Sequence, residues 1–138
     1  MDVLTAAQRS YCMSRIRAKN TNPEMRVRLL AHRLGYRYRL HRRELPGRPD
    51  LVFARRKKAI LVHGCFWHQH PGCKDASKPR TRTDYWRPKL EGNINRDRAA
   101  LHALSELGWS ALVIWECETR DIDALARRLF EFLGPPTG

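Results

Sequence analysis

The chain has 138 residues, and its 27 Lys or Arg against 14 Asp or Glu give a formal net charge of +13. This length suits one domain with a substantial core and is too short for two domains of ordinary size. The charge exceeds what solubility requires, so a polyanionic partner is the first hypothesis. The sequence has no apolar run of about 18 residues and no signal-peptide pattern, so we expect no membrane partner and a cytoplasmic, nucleoid-associated protein.

The N-terminal third is strongly basic and begins with a predicted helix. Thr5-Ala6-Ala7-Gln8 has the form of a capping box, which predicts a helix running to about Ala18. Between Met1 and Arg43 there are eleven Lys or Arg residues against two acids. That imbalance is typical of a nucleic-acid-binding arm, although a solvated basic face is the alternative. We therefore expect residues 1–20 to be a DNA-contacting helix or arm.

A second helix and three short strands are predicted next. Asn22 suits a helix cap, Pro23 the first helical position and Glu24 the positive end of the helix, which Gly35 ends. Alternation or short apolar runs then predict strands over residues 36–40, 51–53 and 58–62. A hairpin turn joins the last two of these, so the sheet should begin with antiparallel strands.

The C-terminal half predicts a helix, a strand and a helix. The long helix spans about residues 84–107, the buried strand spans 110–115, and the amphipathic last helix spans 122–133. A strand that follows a helical crossover usually lies parallel to an earlier strand. The expected fold class is α/β, with three layers in which helices flank a central mixed β-sheet. We expect a single domain over residues 1–138, with 134–138 as a flexible tail.

The stretch from Val62 to His70 is the most unusual segment of the chain. Its nine residues include three histidines, one cysteine and two large aromatic side chains. His63 begins where a buried strand meets a loop, a place where catalytic side chains are commonly held. A single histidine is more often structural, but the joint occurrence of these side chains favours chemistry.

The spacing of cysteine and histidine predicts a metal site. Cys65, His70 and Cys73 follow the pattern C-x4-H-x2-C, and Cys117 follows a strand end that can supply a fourth ligand. Thiols stay reduced in the cytoplasm, so metal ligation is favoured over disulfides. Three thiolates and one imidazole suit a structural Zn²⁺ with no open position. Separate buried thiols are the alternative, and His68 could replace His70 as a ligand.

A second metal site is suggested by Asp50. This residue lies at the start of one predicted strand and His63 at the end of the next, so antiparallel pairing would bring them together. A carboxylate suits Mg²⁺, and Glu24 could add a second acid. His63 and His68 are then available for proton transfer. A turn-capping role for Asp50 is the alternative, but the nearby histidines and the basic surface favour catalysis.

The order of several motifs along the chain resembles that of a known family. The motifs are Leu45-Pro46-Gly47-Arg48-Pro49-Asp50, His63-Gly64-Cys65-Phe66-Trp67-His68, Thr81-Arg82-Thr83-Asp84-Tyr85-Trp86, Asn93, Arg96-Asp97 and Trp115-Glu116-Cys117. They cover nearly the whole chain, from the helix at Met13 to Cys117. In these motifs the chain resembles the very short patch repair (Vsr) DNA mismatch endonucleases.

The resemblance implies a restriction-endonuclease-like fold and Mg²⁺-dependent nicking of duplex DNA. The nick falls on the 5′ side of the T in a T:G mismatch, which arises when 5-methylcytosine deaminates. The resemblance implies that Asp50 binds the Mg²⁺ and that Glu24 and His68 act together near the attacking water. His63 would act at the scissile phosphate, and which histidine is the general base stays open.

The resemblance also implies roles for residues outside the catalytic set. Cys65, His70, Cys73 and Cys117 fall on the structural zinc ligands. Phe66, Trp67 and Trp86 fall on the aromatic residues inserted beside the mismatch, and Met13 on a helix that approaches from the other groove. We expect a monomer, with mismatch-repair helper proteins as further partners. The complete set expected to contact DNA is Met13, Arg15, Arg17, Phe66, Trp67, Arg82, Trp86 and Asn93.

The chain departs from the wider nuclease superfamily at one position of the predicted metal site. The wider nuclease superfamily usually has an acid-x-Lys pair where this chain has Val62-His63-Gly64, a pair that the Vsr family also lacks. Val62 can still bind the metal through its backbone carbonyl.

Two other functions would account for part of the sequence. The first alternative is a non-enzymatic, zinc-stapled DNA-binding module, which would not need Asp50 or His63. The second alternative is another nuclease of the same fold.

Overall fold

The computed structural model describes residues 3–19 and 22–136, without the side chains of residues 17–19. The predicted contact of Arg17 with DNA therefore lies outside the described residues. Short 3₁₀ turns cover Ala54–Arg56, Lys74–Ala76 and Glu116–Arg120. The helices are α1 Ala6–Lys19, α2 Pro23–Arg33, α3 Thr83–Glu106 and α4 Ile122–Leu133, and the strands are β1 Arg39–Leu40, β2 Leu51–Phe53, β3 Lys58–His63 and β4 Ser110–Trp115.

The four strands of the described residues form one mixed sheet in the order β1-β2-β3-β4. β2 is antiparallel to both of its neighbours, with Leu51 opposite Ile60 in β3. β4 is parallel to β3, with Trp115 opposite His63. The predicted antiparallel start and the parallel return after the long helix are both confirmed. The register places the ends of β3 and β4 side by side, next to the start of β2.

Two apolar clusters pack on the two faces of the sheet. Alternate residues of β2 and β3 point to opposite faces, so Leu51 and Ile60 belong to one cluster and Val52 and Leu61 to the other. The first cluster packs against α1, α2 and α4, and the second packs against α3 through Leu104. This arrangement confirms the predicted three layers.

Strand β1 is shorter than the predicted strand at residues 36–40. The Tyr36 N–H donates to the Ala31 carbonyl at the end of α2, and its hydroxyl donates to the Gly134 carbonyl. The Tyr38 hydroxyl donates to the Arg28 carbonyl. These bonds direct residues 36–38 towards the helices instead of along β2, because hydrogen bonds to carbonyls of α2 and to the Gly134 carbonyl after α4 replace those of a strand pair.

The described part of the predicted flexible tail is held against the fold. The Gly134 carbonyl accepts the bond from Tyr36, and Arg56 donates to the Pro135 carbonyl. The flexibility expected for residues 134–138 stays a prediction, and residues 137 and 138 lie outside the described part. Within the described ranges, none of the helices has both the length and the apolar character needed to cross a lipid bilayer.

Candidate active site and metal centre

Two carboxylates and an imidazole meet where β2 begins. The Asp50 N–H donates to the Ile60 carbonyl, and its carboxylate Oδ2 accepts a 2.6 Å hydrogen bond from the Val62 N–H. Glu24 lies in the first turn of α2, where the Asn22 side chain caps the helix as predicted. Its Oε2 lies 3.1 Å from His41 Nε2, which is 3.7 Å from Asp50 Oδ1.

The electrostatics of this group favour a bound cation. Burial, together with the negative charge of Glu24, raises the pKa of Asp50 to about 6, and the Val62 N–H bond opposes this shift. A buried carboxylate beside a second one is more stable as an anion when a cation lies between them. Two carboxylates from different elements are the ligands that Mg²⁺ takes from proteins. The group can therefore hold a divalent cation.

A pair of stacked histidines lies at the end of β3. The rings of His63 and His68 are 4.0 Å apart and nearly parallel, and Trp115 contacts the His63 ring edge-on at 5.3 Å. His68 Nδ1 lies 2.6 Å from Asp97 Oδ2 on α3. This bond can hold a proton on Nδ1 and leave Nε2 to exchange a proton with a substrate or water.

His63 is suited to a neutral role. Burial, together with the neighbouring His68, lowers its pKa to about 4, and Asp97 opposes this shift. A neutral imidazole keeps one N–H donor and one acceptor nitrogen near neutral pH. The two stacked rings can therefore have different roles: the His63 imidazole can donate a hydrogen bond, and the His68 imidazole can transfer a proton.

The two groups of side chains lie on opposite faces of the sheet edge and are joined by consecutive residues of β3. Val62 packs on the face of α2, and His63 points to the face of α3. The prediction that Asp50 and the end of β3 come together is matched by the bond to Val62. The resemblance paired Glu24 with His68, but in the structure Glu24 contacts His41 and His68 contacts Asp97.

Two members of these groups were missing from the predicted site. His41 lies in a loop with a positive φ of 47°, where no periodic pattern indicates a direction for its side chain. Asp97 was part of the motif Arg96-Asp97, but that motif assigned it no role, and on α3 it lies among many charged residues. A second signal was its spacing of four residues from Asn93, which places the two on one helix face.

The predicted zinc ligands converge on one point. The donor atoms of Cys65, His70, Cys73 and Cys117 all lie within 4.8 Å of one another. His70 Nδ1 is 3.8 Å from Cys65 Sγ and 3.5 Å from Cys117 Sγ. Ligands of a tetrahedral Zn²⁺ lie about 3.5 to 3.8 Å apart, given the usual bond lengths. His70 therefore belongs to this cluster, whereas His68 faces Asp97, so His68 does not replace His70 in the cluster.

The surroundings of the cluster fix its geometry. The His70 ring stacks on Trp115 at 4.3 Å, and the Cys65 N–H donates to Glu116 Oε1. The Cys117 N–H donates to Cys65 Sγ at 3.4 Å. Burial raises the pKa of the Cys65 thiol to about 12, so only a bound cation would keep this thiol as a thiolate at neutral pH. The four side chains fit a closed metal centre.

An aromatic cluster projects beside the histidine pair. Phe66, Trp67 and Trp86 have ring centroids 5.1 to 5.7 Å apart, and Tyr85 contacts Trp86. Trp67 is 51% exposed, although exposed large aromatics are unfavourable in water. The Asn93 amide donates to the Trp67 carbonyl at 2.9 Å and so holds the loop in place. This exposed apolar surface is suited to stacking on a planar partner.

The remaining residues of the predicted DNA-contacting set occupy different environments. Met13 is partly buried and packs against the first core cluster, so α1 uses it for packing. Arg15 is exposed, and its Nε donates to the Tyr11 hydroxyl. Arg82 is exposed at the start of α3 and lies over the Tyr85 ring at 4.8 Å. The exposed guanidinium groups can reach phosphates, whereas Met13 is less available.

Comparison with known proteins agrees with this site. Residues 1–74 match the family model described as DNA mismatch endonuclease Vsr. The chain is 49% identical to the type II nicking enzyme V.XorIIP of Xanthomonas oryzae, with 97% of this chain and 98% of that protein covered. It is 39% identical to the DNA mismatch endonuclease Vsr of Escherichia coli K12, with 96% and 87% covered. The chain therefore belongs to the DNA mismatch endonuclease Vsr family.

Proposed function

We propose that this protein nicks duplex DNA on the 5′ side of the T in a T:G mismatch, by Mg²⁺-dependent hydrolysis. The nick would start very short patch repair of deaminated 5-methylcytosine. Family membership supports an endonuclease that acts on mismatched DNA. The observation that carries the proposal is the junction at Val62 and His63, where a carboxylate pair on one side of β3 meets a histidine pair on the other.

The carboxylate pair suits the metal-dependent part of hydrolysis. Asp50, Glu24 and the backbone carbonyl of Val62 would hold the Mg²⁺, and the carboxylates fit such an ion in charge and spacing. When bound, Mg²⁺ neutralises phosphate charge and lowers the pKa of a bound water. The Val62 N–H bond keeps Asp50 oriented towards this position whether or not its other oxygen is engaged.

The histidine pair suits the proton transfers. Asp97 would orient His68 so that Nε2 takes a proton from the attacking water or gives one to the leaving oxygen. His63, held neutral by burial, would donate a hydrogen bond to the scissile phosphate. Either histidine can serve as the general base in this scheme, and the pH dependence of variants at each position separates the two assignments.

The thiol and imidazole cluster suits a structural role. Cys65, His70, Cys73 and Cys117 would bind Zn²⁺ through all four tetrahedral positions and leave none open for substrate. The bound ion would tie the loop after β3 to the turn after β4. Because Phe66, Trp67 and His68 lie in that loop, the zinc would position both recognition and catalysis without taking part in either.

The aromatic cluster and the basic surface suit recognition. Phe66, Trp67 and Trp86 would enter the base stack beside the mismatch, where unstacking costs least. Arg15, Arg17 and Arg82 would supply salt-sensitive contacts to phosphates. We propose a monomer with a restriction-endonuclease-like fold that acts at the bacterial nucleoid, where mismatch-repair helper proteins would assist it. The bacterial relatives and the three-layer mixed sheet support these assignments.

A nicking assay tests the proposal directly. Duplexes with a T:G or a T:A pair at the same position are incubated with Mg²⁺ or EDTA, and the strand break is mapped. We expect a nick 5′ of the mismatched T only with T:G and Mg²⁺. Asp50→Asn should abolish nicking and retain mismatch binding, whereas Glu131→Gln, which removes an exposed charge on α4, should change neither.

The alternatives predict different outcomes of the same assay. A non-enzymatic DNA-binding module would bind T:G duplexes without breaking either strand. Another nuclease of the same fold would cut matched duplexes or branched DNA as fast as T:G duplexes. Cleavage by Asp50→Asn at a rate near that of the wild type would remove this carboxylate from the mechanism.

A further inference from the structure

We propose that His41 is a further protein ligand of the cation that Glu24, Asp50 and the Val62 carbonyl would hold, and that the site therefore prefers Mn²⁺ to Mg²⁺. The inference rests on the proposed function, because it concerns the ion that the two carboxylates would hold. The geometry places His41 in this group, because its Nε2 lies only 3.1 Å from Glu24 Oε2.

The distances fit three ligands on one face of an octahedral ion. Adjacent ligands of such an ion lie about 3.0 Å apart when the bonds are near 2.1 Å. His41 Nε2 lies 3.1 Å from Glu24 Oε2 and 3.7 Å from Asp50 Oδ1, and the ligand atoms of all three residues lie within 4.8 Å of one another. A small inward movement of the side chains would complete the coordination.

The exposure of the three side chains leaves room for the other ligands. The side chains of Glu24 and Asp50 are 27% and 23% exposed, whereas the His41 side chain is 52% exposed. Solvent therefore reaches the site from the side of His41, where water or a phosphate oxygen can take the remaining positions. Arg28 lies 3.6 Å from Glu24 Oε2 and holds that carboxylate from another direction.

The ligand types decide the ion. Mg²⁺ strongly prefers oxygen ligands in near-ideal octahedral geometry, so an imidazole nitrogen is a poor ligand for it. Mn²⁺ takes carboxylate and water ligands as Mg²⁺ does, and as a first-row transition-metal ion it also binds sites that contain a nitrogen ligand. A site with two carboxylates and one imidazole should therefore bind Mn²⁺ more tightly than Mg²⁺.

His41 has one competing role that the same geometry allows. A protonated imidazole between two carboxylates can act as their counter-ion and must leave before a metal enters. A ligand and a counter-ion have opposite effects when removed. Loss of a ligand weakens metal binding, whereas loss of a competing counter-ion strengthens the binding of every divalent cation.

The test measures Mn²⁺ binding by electron paramagnetic resonance and Mg²⁺ binding by competition, in the full chain without DNA. His41→Ala should weaken Mn²⁺ binding at least about tenfold and change Mg²⁺ binding by less than about threefold. His102→Ala, an exposed histidine on α3, is the matched control and should change neither. His41→Asp should shift the preference towards Mg²⁺, and Asp tolerates the positive φ at this position.

The outcomes separate this inference from the proposed function. Equal or tighter Mn²⁺ binding by His41→Ala, combined with loss of binding in Asp50→Asn, would overturn the role of His41 and leave the carboxylate site intact. Metal binding that is unchanged in Asp50→Asn would overturn the cation site itself. A wild type that binds Mg²⁺ as tightly as Mn²⁺ would overturn the stated preference.

Discussion

The carboxylate of Asp50 accepts the backbone N–H of Val62 at 2.6 Å, which fixes an acidic side chain to the residue that precedes His63. A side chain held by a strand backbone has little freedom to rotate, so the distance between the cation site and the histidine pair is set by β3. The same strand carries the histidine that faces the opposite layer. Hydrolysis by this site would depend on that rigid junction more than on any loop movement.

The bond between His68 and Asp97 predicts a catalytic effect without a binding effect. Asp97→Asn keeps the shape of the side chain but loses the charge that orients the imidazole. We expect the single-turnover nicking rate to fall by roughly a hundredfold or more, with unchanged affinity for T:G duplexes. Glu91→Gln, an exposed acid on the same helix, is the control. An unchanged rate in Asp97→Asn would show that His68 needs no such partner.

The four-ligand cluster predicts that zinc stabilises the fold. We expect one zinc per chain by metal analysis, and we expect Cys73→Ser to lose it and to lower the free energy of unfolding by roughly 3 kcal/mol or more. Cys12→Ser is a useful control, because Cys12 is fully buried in the first core cluster, away from the metal ligands. That variant should lose stability but keep its zinc. Folded, active protein without zinc would contradict the prediction.

The exposure of Trp67 predicts that its main contribution is to recognition. Trp67→Ala removes a half-exposed side chain, so fold, zinc content and nonspecific DNA affinity should persist. The preference for T:G over T:A duplexes should fall by about tenfold, which corresponds to one lost stacking contact. Leu107→Ala removes another exposed apolar side chain, after the end of α3, and should leave the preference unchanged. Unfolding of Trp67→Ala, or an unchanged preference, would reject the role in stacking.

The buried hydroxyl of Tyr36 predicts a pH-dependent contribution to stability. Burial raises the pKa of Tyr36 above its usual value near 10, and the neutral hydroxyl donates to the Gly134 carbonyl. A raised pKa means that the contribution is fully present below about pH 10 and is lost as the pH rises through the folded-state pKa. Tyr36→Phe should therefore be less stable than the wild type by about 1 kcal/mol near pH 8, and the difference should shrink above pH 10.

Urea unfolding of both proteins at a series of pH values measures this difference. The comparison cancels the titration of the six lysines and of the other three tyrosines, which both proteins share. Tyr85→Phe is the control, since the Tyr85 side chain is exposed and should contribute equally at every pH. A gap between wild type and Tyr36→Phe that stays constant from about pH 8 to pH 11 would contradict the predicted role of burial.

The fold was predictable where local patterns coincide with tertiary contacts. The capping box at Thr5, the cap at Asn22 and the apolar runs of β2, β3 and β4 are all found as predicted. Strand β1 was overestimated because Tyr36 and Tyr38 alternate like strand residues, but their hydroxyls donate to the carbonyls of Gly134 and Arg28. Alternation reports which residues are buried, and it does not report what buries them.

The residues of the site were predictable where their types are rare in the chain, and less so where their types are common. Cysteine and histidine at metal-binding spacing have few other uses, so Cys65, His70, Cys73 and Cys117 were found, including the distant fourth member. Asp97 was recognised only as part of the motif Arg96-Asp97, and its role was not predicted because charged residues are frequent along this basic chain. His41 was hidden for another reason, since a loop with left-handed backbone gives no period from which to infer its direction.

Trp115 lies between the thiol cluster and the histidine pair and contacts both. One part of its indole stacks on His70, and its ring meets the edge of His63. The fluorescence emission of an indole depends on the groups around it, so the emission of Trp115 should respond to changes at both centres. Filling of the thiol cluster should change the emission of Trp115, and substitutions at either centre during divergence of the family would have to accommodate the same indole.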